Sequence, residues 1–329
     1  MGSLLVPSGA CFGVHTARAV ENFPITGVTL NHFPEFIVAL CQVKLAACRA
    51  NRDLGVLDTK RAELIEQACR EIIAGAHHDA FVVDMIQGGA GTSTKMNANE
   101  VIANLAAEIA GREKGVYDFI NPNDHVNCSQ STNDVYPTAI RLAILAKAEG
   151  LIRKERDLLA SFAAKASAFA DVHRVGRTQL QDAVPMTVDR EFASYAAALT
   201  EEISRLEDLS KILRVVNLGG TAIGTRINAP DGYAELAVRY LSEISGQDLR
   251  SASDLIDASS DMGALVSCSG LLRRVAIKVL KICNDLRLLS SGPRAGFGEI
   301  ILPAVQAGSS IMPGKVNPAI PEVVSQVAY

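Results

Sequence analysis

Apolar and polar positions follow the period of an α-helix over most of this chain. Long segments rich in Ala, Leu, Ile, Glu, Arg and Lys favour helices, whereas the alternating Val, Ile and Thr runs typical of strands are scarce. The fold is therefore predicted to be mainly α. The pattern places helices at approximately residues 35–53, 59–74, 96–111, 135–169, 188–216 and 253–290.

The last three of these segments are much longer than the usual three or four turns of a globular helix. Apolar residues are distributed along their whole length, which indicates an extended helical bundle rather than helices packed on a sheet. A loop at residues 121–124 and a polar cluster near Cys128 precede the first long helix. We therefore expect a smaller N-terminal helical domain at 1–131 and a central helical-bundle domain at 132–329.

Three clusters of small hydroxyl and amide residues each stand before a predicted helix. They occupy residues 88–93, 129–134 and 308–310, the last continuing to 315–318. Helix starts carry free N–H groups and a partial positive charge, so such loops are suited to carboxylates or phosphates. Asn317 is expected to cap a helix that begins at Pro318, while Lys315 adds a full positive charge. Together the loops suit a ligand with two anionic ends.

Simpler interpretations account for some of these features. Small polar residues before a helix are most often only caps. Residues 88–95 lack the Gly-Lys-Ser/Thr triplet of a phosphate loop and follow no strand pattern, which excludes that type of nucleotide site. Residues 77–79 have no further ligand at a supporting spacing, so we assign no metal site. Glu100 is expected on a polar helix face, and Asp134 is expected to cap or pair near its own helix.

Composition narrows the classes of partner. The chain has 329 residues, 48% of them hydrophobic, and a net charge of -4 with both signs interspersed. Without a polybasic face, neither nucleic acid nor an anionic membrane is expected as a partner. The seven cysteines show no CxxC spacing, which is typical of free thiols in a reducing compartment. Residues 1–12 contain no basic leader before their short apolar run, so we expect a cytoplasmic protein.

One motif carries a family resemblance. Residues 308–318, GSSIMPGKVNP, resemble the GSSxMPxKxNP signature of the aspartase/fumarase superfamily. Residues 91–100 and 129–134 are similar to the two other regions from which that superfamily builds its active site, in the same order. Residues 13–16 and 176–182 look more like aspartases than fumarases. The resemblance covers essentially the whole chain and implies an aspartase/fumarase-like fold.

The resemblance also implies a reaction, the reversible conversion of L-aspartate to fumarate and ammonia without an organic cofactor. That reaction removes a weakly acidic proton next to the β-carboxylate, so the resulting enediolate must be stabilised. By similarity, Ser309 is the general base, with a pKa lowered by Lys315 and by backbone N–H donors. The implied substrate-binding residues are Thr92, Ser131, Thr132 and Ser310 at the β-carboxylate, Lys315 and Asn317 at the α-carboxylate, and Asn133, Thr178 and Gln179 near the amino group.

Assembly and alternatives follow from the same resemblance. Superfamily members are homotetramers in which each active site takes its three regions from three subunits, so a homotetramer is implied here. Relatives continue beyond the position of Tyr329, so the bundle is expected to be incomplete and C-terminally truncated, with the small C-terminal domain absent from this chain. Arg226 also stands where relatives have glycine. Fumarate hydratase activity on L-malate, or an inactive truncated homologue serving as a helical assembly module, remain open alternatives.

Overall fold

The computed structural model describes residues 4–329, so the first three residues of the segment 1–12 lie outside the description. The chain divides into two compact units. Unit 1 comprises the N-terminal part of the chain up to residue 148 together with residues 210–262, and unit 2 comprises residues 149–209 and 263–329. The domain boundary expected between residues 131 and 132 stays a prediction.

Helices dominate the described residues, so the predicted mainly α fold is confirmed. The α-helices are α1 Val14–Asn22, α2 Pro34–Asp53, α3 Thr59–Ile73, α4 Thr92–Ile109, α5 Thr132–Ala168, α6 Val188–Leu213, α7 Tyr233–Ser245, α8 Leu255–Ser260, α9 Gly263–Leu289 and α10 Ala319–Ala328. Strands are few and short: β1 His173–Thr178, β2 Gln181–Thr187, β3 Val215–Val216 and β4 Arg250–Ser251. Short 3-10 helices at Leu30–His32 and His78–Ala80 and a π-helix at Pro122–Val126 complete the list.

Predicted helix bounds agree with the structure within a few residues, with one exception. The expected helix at 253–290 is interrupted, because Asp261 has an extended backbone (ψ 124°) that ends α8 before α9 begins at Gly263. The sequence pattern also gave no prediction for α1, for α7 or for the hairpin at 173–187. Most side chains of that hairpin are exposed, so its strands do not alternate between apolar and polar residues.

Unit 1 is built around α2, which begins at Pro34 and packs against α3 and α7. Proline suits the first position of a helix because its nitrogen needs no acceptor there. Most of α2 and α4 is buried, and α4 packs on α1 and α3. Because α4 and the start of α5 are held in this core, the residues at their N-termini have fixed positions.

Unit 2 has its own apolar core. The buried side chains are Phe162, Val188, Phe192, Tyr195, Leu199 and Ile282, supplied by α5, α6 and α9. The rings of Phe162 and Tyr195 meet edge to face with centroids 5.5 Å apart. An antiparallel hairpin pairs β1 with β2 from His173↔Thr187 to Thr178↔Gln181. Along the described part of the chain, no helix is long and apolar enough to cross a membrane.

Candidate active site

The start of α4 depends on a glycine. Gly91 has φ 91°, in the left-handed region that favours glycine, and it immediately precedes Thr92. A Cβ at Gly91 would lie 2.5 Å from the ring of Tyr136, so the ring itself excludes any side chain there. The close packing of Tyr136 on this turn fixes the direction in which Thr92 enters the helix.

Four of the predicted site residues lie together in unit 1, at the starts of α4 and α5. The Oγ1 atoms of Thr92 and Thr132 are 3.4 Å apart. The hydroxyl of Ser131 accepts a hydrogen bond from the backbone nitrogen of Asn133 at 3.2 Å, and Asn133 Nδ2 donates to the carbonyl of Ala222 at 2.7 Å. Two helix N-termini thus converge with small polar side chains, an arrangement that can bind one carboxylate.

The buried side chain of Asp134 holds the start of α5 in this arrangement. Its buried carboxylate accepts hydrogen bonds from the backbone nitrogens of Ser131 at 2.9 Å, Gly219 at 3.1 Å and Thr221 at 3.0 Å. Burial raises its pKa to about 6, although these donors and nearby Lys44 favour the charged form. Asp134 therefore caps its own helix, as expected from the sequence, and also ties the Ser131 loop to residues 219–221.

Lys44 is a functional-site neighbour that the sequence analysis missed. It lies on α2 and is fully buried, with its ammonium donating to Asn127 Oδ1 at 3.0 Å and Gln130 Oε1 at 2.8 Å. Burial lowers the pKa of Lys44 well below its usual value. The available signal was a single charged residue within the mostly apolar stretch 37–48 of a helix. By holding Gln130, Lys44 fixes the residues that lead into Ser131.

Glu100 does not lie on a polar helix face, so that prediction is wrong. Its side chain is fully buried and accepts hydrogen bonds from the backbone nitrogens of Gly13, His15 and Thr16 at 2.9 to 3.0 Å, and from the Thr16 hydroxyl at 2.7 Å. These N–H groups belong to the start of α1, where a helix has donors without partners. A carboxylate from α4 satisfies them, which explains its burial.

Unit 2 contains the loop with the predicted general base, Ser309, and three of the predicted substrate-binding residues. Ser309 Oγ accepts hydrogen bonds from the backbone nitrogens of Ile311 and Met312, each at 3.2 Å. The loop is closed by Gly308 N donating to the Lys315 carbonyl at 2.8 Å. A Cβ at Gly308 would lie 2.6 Å from the backbone nitrogen of Asn317, so this closure requires glycine.

The predicted cap at Asn317 is wrong. The N-cap position of α10 is Pro318, which makes no side-chain capping hydrogen bond. Asn317 Nδ2 instead donates to the carbonyl of Gly308 at 3.0 Å, because the loop folds back on itself there. Ser310 and Lys315 are exposed on the same loop.

Thr178 and Gln179 lie on the hairpin of unit 2. Thr178 ends β1, and Gln179 is the first residue of the turn. Beside them is a cavity of about 450 Å³ whose walls include Lys281, Asp285 and Phe297. Both predicted residues therefore border an open space within their unit.

Arg226 occupies the position where a glycine was expected, in a loop of unit 1. Its φ is 62°, and its guanidinium pairs with Glu235 at a distance of 2.8 Å. Arg226 therefore forms this ion pair from a left-handed backbone conformation, which residues with a side chain normally avoid.

Within residues 4–329, no group of three or more His, Cys, Asp or Glu side chains is arranged to hold a metal ion.

Comparisons with known proteins give a single family. The model of the lyase family matches residues 2–329. Aspartate ammonia-lyases from Pseudomonas aeruginosa and Escherichia coli are 58% and 50% identical to this chain over 330 residues. The matches cover all of this chain and 70% and 69% of those two proteins.

Solved structures give the same result. A fumarate lyase:delta crystallin from Brucella melitensis, bound to cobalt, matches with a TM-score of 0.96 at 57% identity, covering 98% of this chain and 70% of that one. A class II fumarase from Schistosoma mansoni matches with a TM-score of 0.94 at 33% identity, covering 98% of this chain and 71% of that one. The similarity therefore extends over nearly the whole of this chain.

Proposed function

The chain belongs to the lyase family, and we propose from that membership that it catalyses the reversible elimination of ammonia from L-aspartate to give fumarate. It is an enzyme of the carbon–nitrogen lyase class. The relatives named aspartate ammonia-lyase, at 50% to 58% identity over the whole chain, support this substrate more strongly than the fumarase at 33% supports L-malate.

The observation that carries the mechanism is the environment of Ser309. Its Oγ accepts two backbone N–H hydrogen bonds on a loop that also carries Lys315. A serine hydroxyl is a weak base at neutral pH, and donors aimed at its oxygen stabilise the deprotonated form. These contacts support Ser309 as the general base.

The reaction then proceeds in two steps. Ser309 Oγ takes the proton from the carbon next to the β-carboxylate, and the electron pair of that C–H bond moves into the carboxylate to form an enediolate. When the enediolate collapses, the pair forms the carbon–carbon double bond, and the C–N bond breaks with its electrons leaving on ammonia. Hydrogen bonds to the β-carboxylate strengthen as charge grows on it, which lowers the barrier.

The binding roles are part of the same proposal. Thr92, Ser131 and Thr132, with their two helix N-termini, and Ser310 take the β-carboxylate. Lys315 and Asn317 take the α-carboxylate, since one supplies a cation and the other an amide on the same loop. Asn133, Thr178 and Gln179 lie near the amino group.

We further propose that the protein is a homotetramer in which three subunits contribute to each site. Exposed apolar side chains support it, because they occur along helices that need partners. They include Val266, Leu272 and Ile277 on α9 and Ile320, Val323 and Val327 on α10.

A cytoplasmic location is also part of the proposed function. It is supported by the seven free cysteines, which suit a reducing compartment.

Ultraviolet absorbance of fumarate tests the function directly. The purified protein is incubated with L-aspartate and, separately, with L-malate. Fumarate from L-aspartate is the expected result. Fumarate only from L-malate would make it a fumarate hydratase, and fumarate from neither would leave a helical assembly module as the remaining function.

A further inference from the structure

The turn that carries Gln179 has an unusual backbone. Gln179 and Leu180 are the two central residues between β1 and β2, and both have positive φ, 51° and 62°. Two-residue hairpin turns of this kind favour Asn-Gly, because larger side chains are strained in the left-handed region. Such strain persists only where surrounding contacts fix the backbone, and it clusters at functional sites.

A carboxylate beyond α9 holds the strand that leads into this turn. Glu299 Oε2 lies 3.2 Å from Arg174 Nη2, and its Oε1 contacts Arg177 Nη2. Both arginines are on β1, and the Arg174 side chain is only 8% exposed. One carboxylate therefore forms ion pairs with β1 at two positions, the second of them immediately before Thr178.

The position of Arg177 gives this contact a specific effect. Between Gly176 and Arg177 the pairing skips Ala183, so β2 has a bulge opposite these two residues of β1. A bulge bends its strand and increases the local twist of the pair. Glu299 binds Arg177 opposite this bulge and so fixes the direction in which β1 enters the turn.

Both ends of this contact are anchored in unit 2. Arg174 Nη1 lies 3.1 Å from Glu191, whose carboxylate accepts a hydrogen bond from the buried Tyr195 hydroxyl at 2.8 Å. The Arg177 guanidinium lies over the ring of Phe297, 4.4 Å from its centroid. Glu299 N donates to the Leu289 carbonyl at the end of α9 at 2.9 Å.

We propose that Glu299 is a positioning residue that, through Arg174 and Arg177, holds the strained turn so that Thr178 and Gln179 meet the substrate amino group. The role rests on the proposed function for its substrate. Glu299 itself contacts no reacting atom. It acts by keeping two side chains in the orientation that the reaction needs.

Hydrogen exchange tests the structural half of this proposal without any assay of turnover. The variant Glu299→Gln removes the negative charge, and with it both ion pairs to β1, while keeping nearly the same shape. The matched control is Glu207→Gln, which breaks an exposed ion pair with Arg156 elsewhere in unit 2. Amides of residues 176–184 should exchange faster in E299Q and unchanged in E207Q. Equal protection of those amides in both variants would show that Glu299 does not hold the turn and would overturn the proposal.

Kinetics test the functional half. In the reverse direction, E299Q should raise the KM for ammonia about tenfold or more and change the KM for fumarate by less than about twofold, because other loops hold the carboxylates. In the forward direction, kcat/KM for L-aspartate should fall about 100-fold, as expected when catalytic side chains are misplaced. Arg177→Lys keeps the charge without the planar guanidinium that lies over Phe297, and should lie between wild type and E299Q.

The outcomes separate the two proposals. Kinetic constants of E299Q equal to those of E207Q would overturn the positioning role, as would equal increases in both KM values accompanied by a lower melting temperature. Wild-type protein without activity on L-aspartate would overturn the proposed function instead, and the exchange comparison would still decide whether Glu299 holds the turn.

Discussion

The hydroxyl oxygens of Thr92 and Thr132 lie 3.4 Å apart, although 40 residues separate them in the chain. Each is the first residue of a helix, α4 or α5, so two helix N-termini meet at one place. A carboxylate bound there would lie at the positive ends of both helix dipoles. It would accept a hydrogen bond from the Thr132 hydroxyl, and one from Thr92 when that hydroxyl turns from the Gly89 carbonyl, to which it donates at 2.7 Å.

Thr92→Val removes one of these donors without changing the shape of the side chain much. We expect kcat/KM for L-aspartate to fall about 100- to 1,000-fold, because the lost hydrogen bond is strongest in the enediolate. Steady-state fumarate production measures this. Thr200→Val is the control, since Thr200 is an exposed residue of α6 whose hydroxyl bonds only its own helix at Ala196. A loss of activity as large in T200V would contradict the prediction.

Ser309→Ala removes the proposed base and leaves the loop closure through Gly308 and Lys315 intact. Turnover should fall below detection while the dissociation constant of fumarate stays within about threefold of wild type, since the base contributes to chemistry rather than to binding. Single-turnover kinetics and equilibrium titration give the two values. Near-wild-type turnover would remove Ser309 from the mechanism.

A mixture of inactive variants tests whether sites are shared between subunits. S309A and T92V protein, unfolded together and refolded, should regain activity in about a quarter of the sites if the two residues come from different subunits of a tetramer. Separately refolded proteins mixed afterwards are the control. Activity that never rises above that control would show that each site draws both residues from one subunit.

Glu100→Gln tests a structural role that the sequence did not reveal. Glutamine has one acceptor oxygen in place of two, so donors at the start of α1 lose their partner in the buried site. The free energy of unfolding should fall by about 1–3 kcal/mol. Glu108→Gln on the same helix is the control, because Glu108 is 55% exposed and its pair with Lys114 contributes less than about 1 kcal/mol. Equal melting temperatures for the two variants would contradict this account.

Asp134 should make stability depend on pH. Its pKa is raised from 3.8 to about 6 by burial, so between these values the unfolded chain releases a proton that the folded chain retains. The contribution of Asp134 to the free energy of unfolding is therefore complete below about pH 4. It falls as the pH rises to about 6 and above, by up to about 3 kcal/mol. Asp134→Asn should be less stable overall and should not show this fall. Thermal midpoints of both proteins from pH 4 to 7 give the comparison, and parallel curves would exclude Asp134 as the source.

The sequence predicted what depends on local pattern. Helical periodicity located α2 to α6, and clusters of small polar residues marked the helix starts where Thr92 and Thr132 lie. The long helical segments predicted the bundle, and the motif at 308–318 carried the family resemblance. These features are encoded by neighbours in the chain, so one sequence is enough to identify them.

Long-range contacts were not predictable in this way. Glu100 was assigned to a polar face because its partners, Gly13 to Thr16, lie more than 80 residues away. The Asn317 cap was wrong because Gly308, its actual partner, is brought back by a closed loop. The roles of Lys44 and Glu299 were missed for the same reason, since each depends on partner residues that only tertiary packing places beside it.

The left-handed backbone at Gln179 and Leu180 bears on how this enzyme would respond to selection for heat resistance. Leu180→Gly relieves local strain, yet it also releases the turn from a single shape. A gain in thermostability at this position is therefore expected to be accompanied by slower turnover. Screening for both properties at once would favour changes in the core of unit 1 over any change in the hairpin.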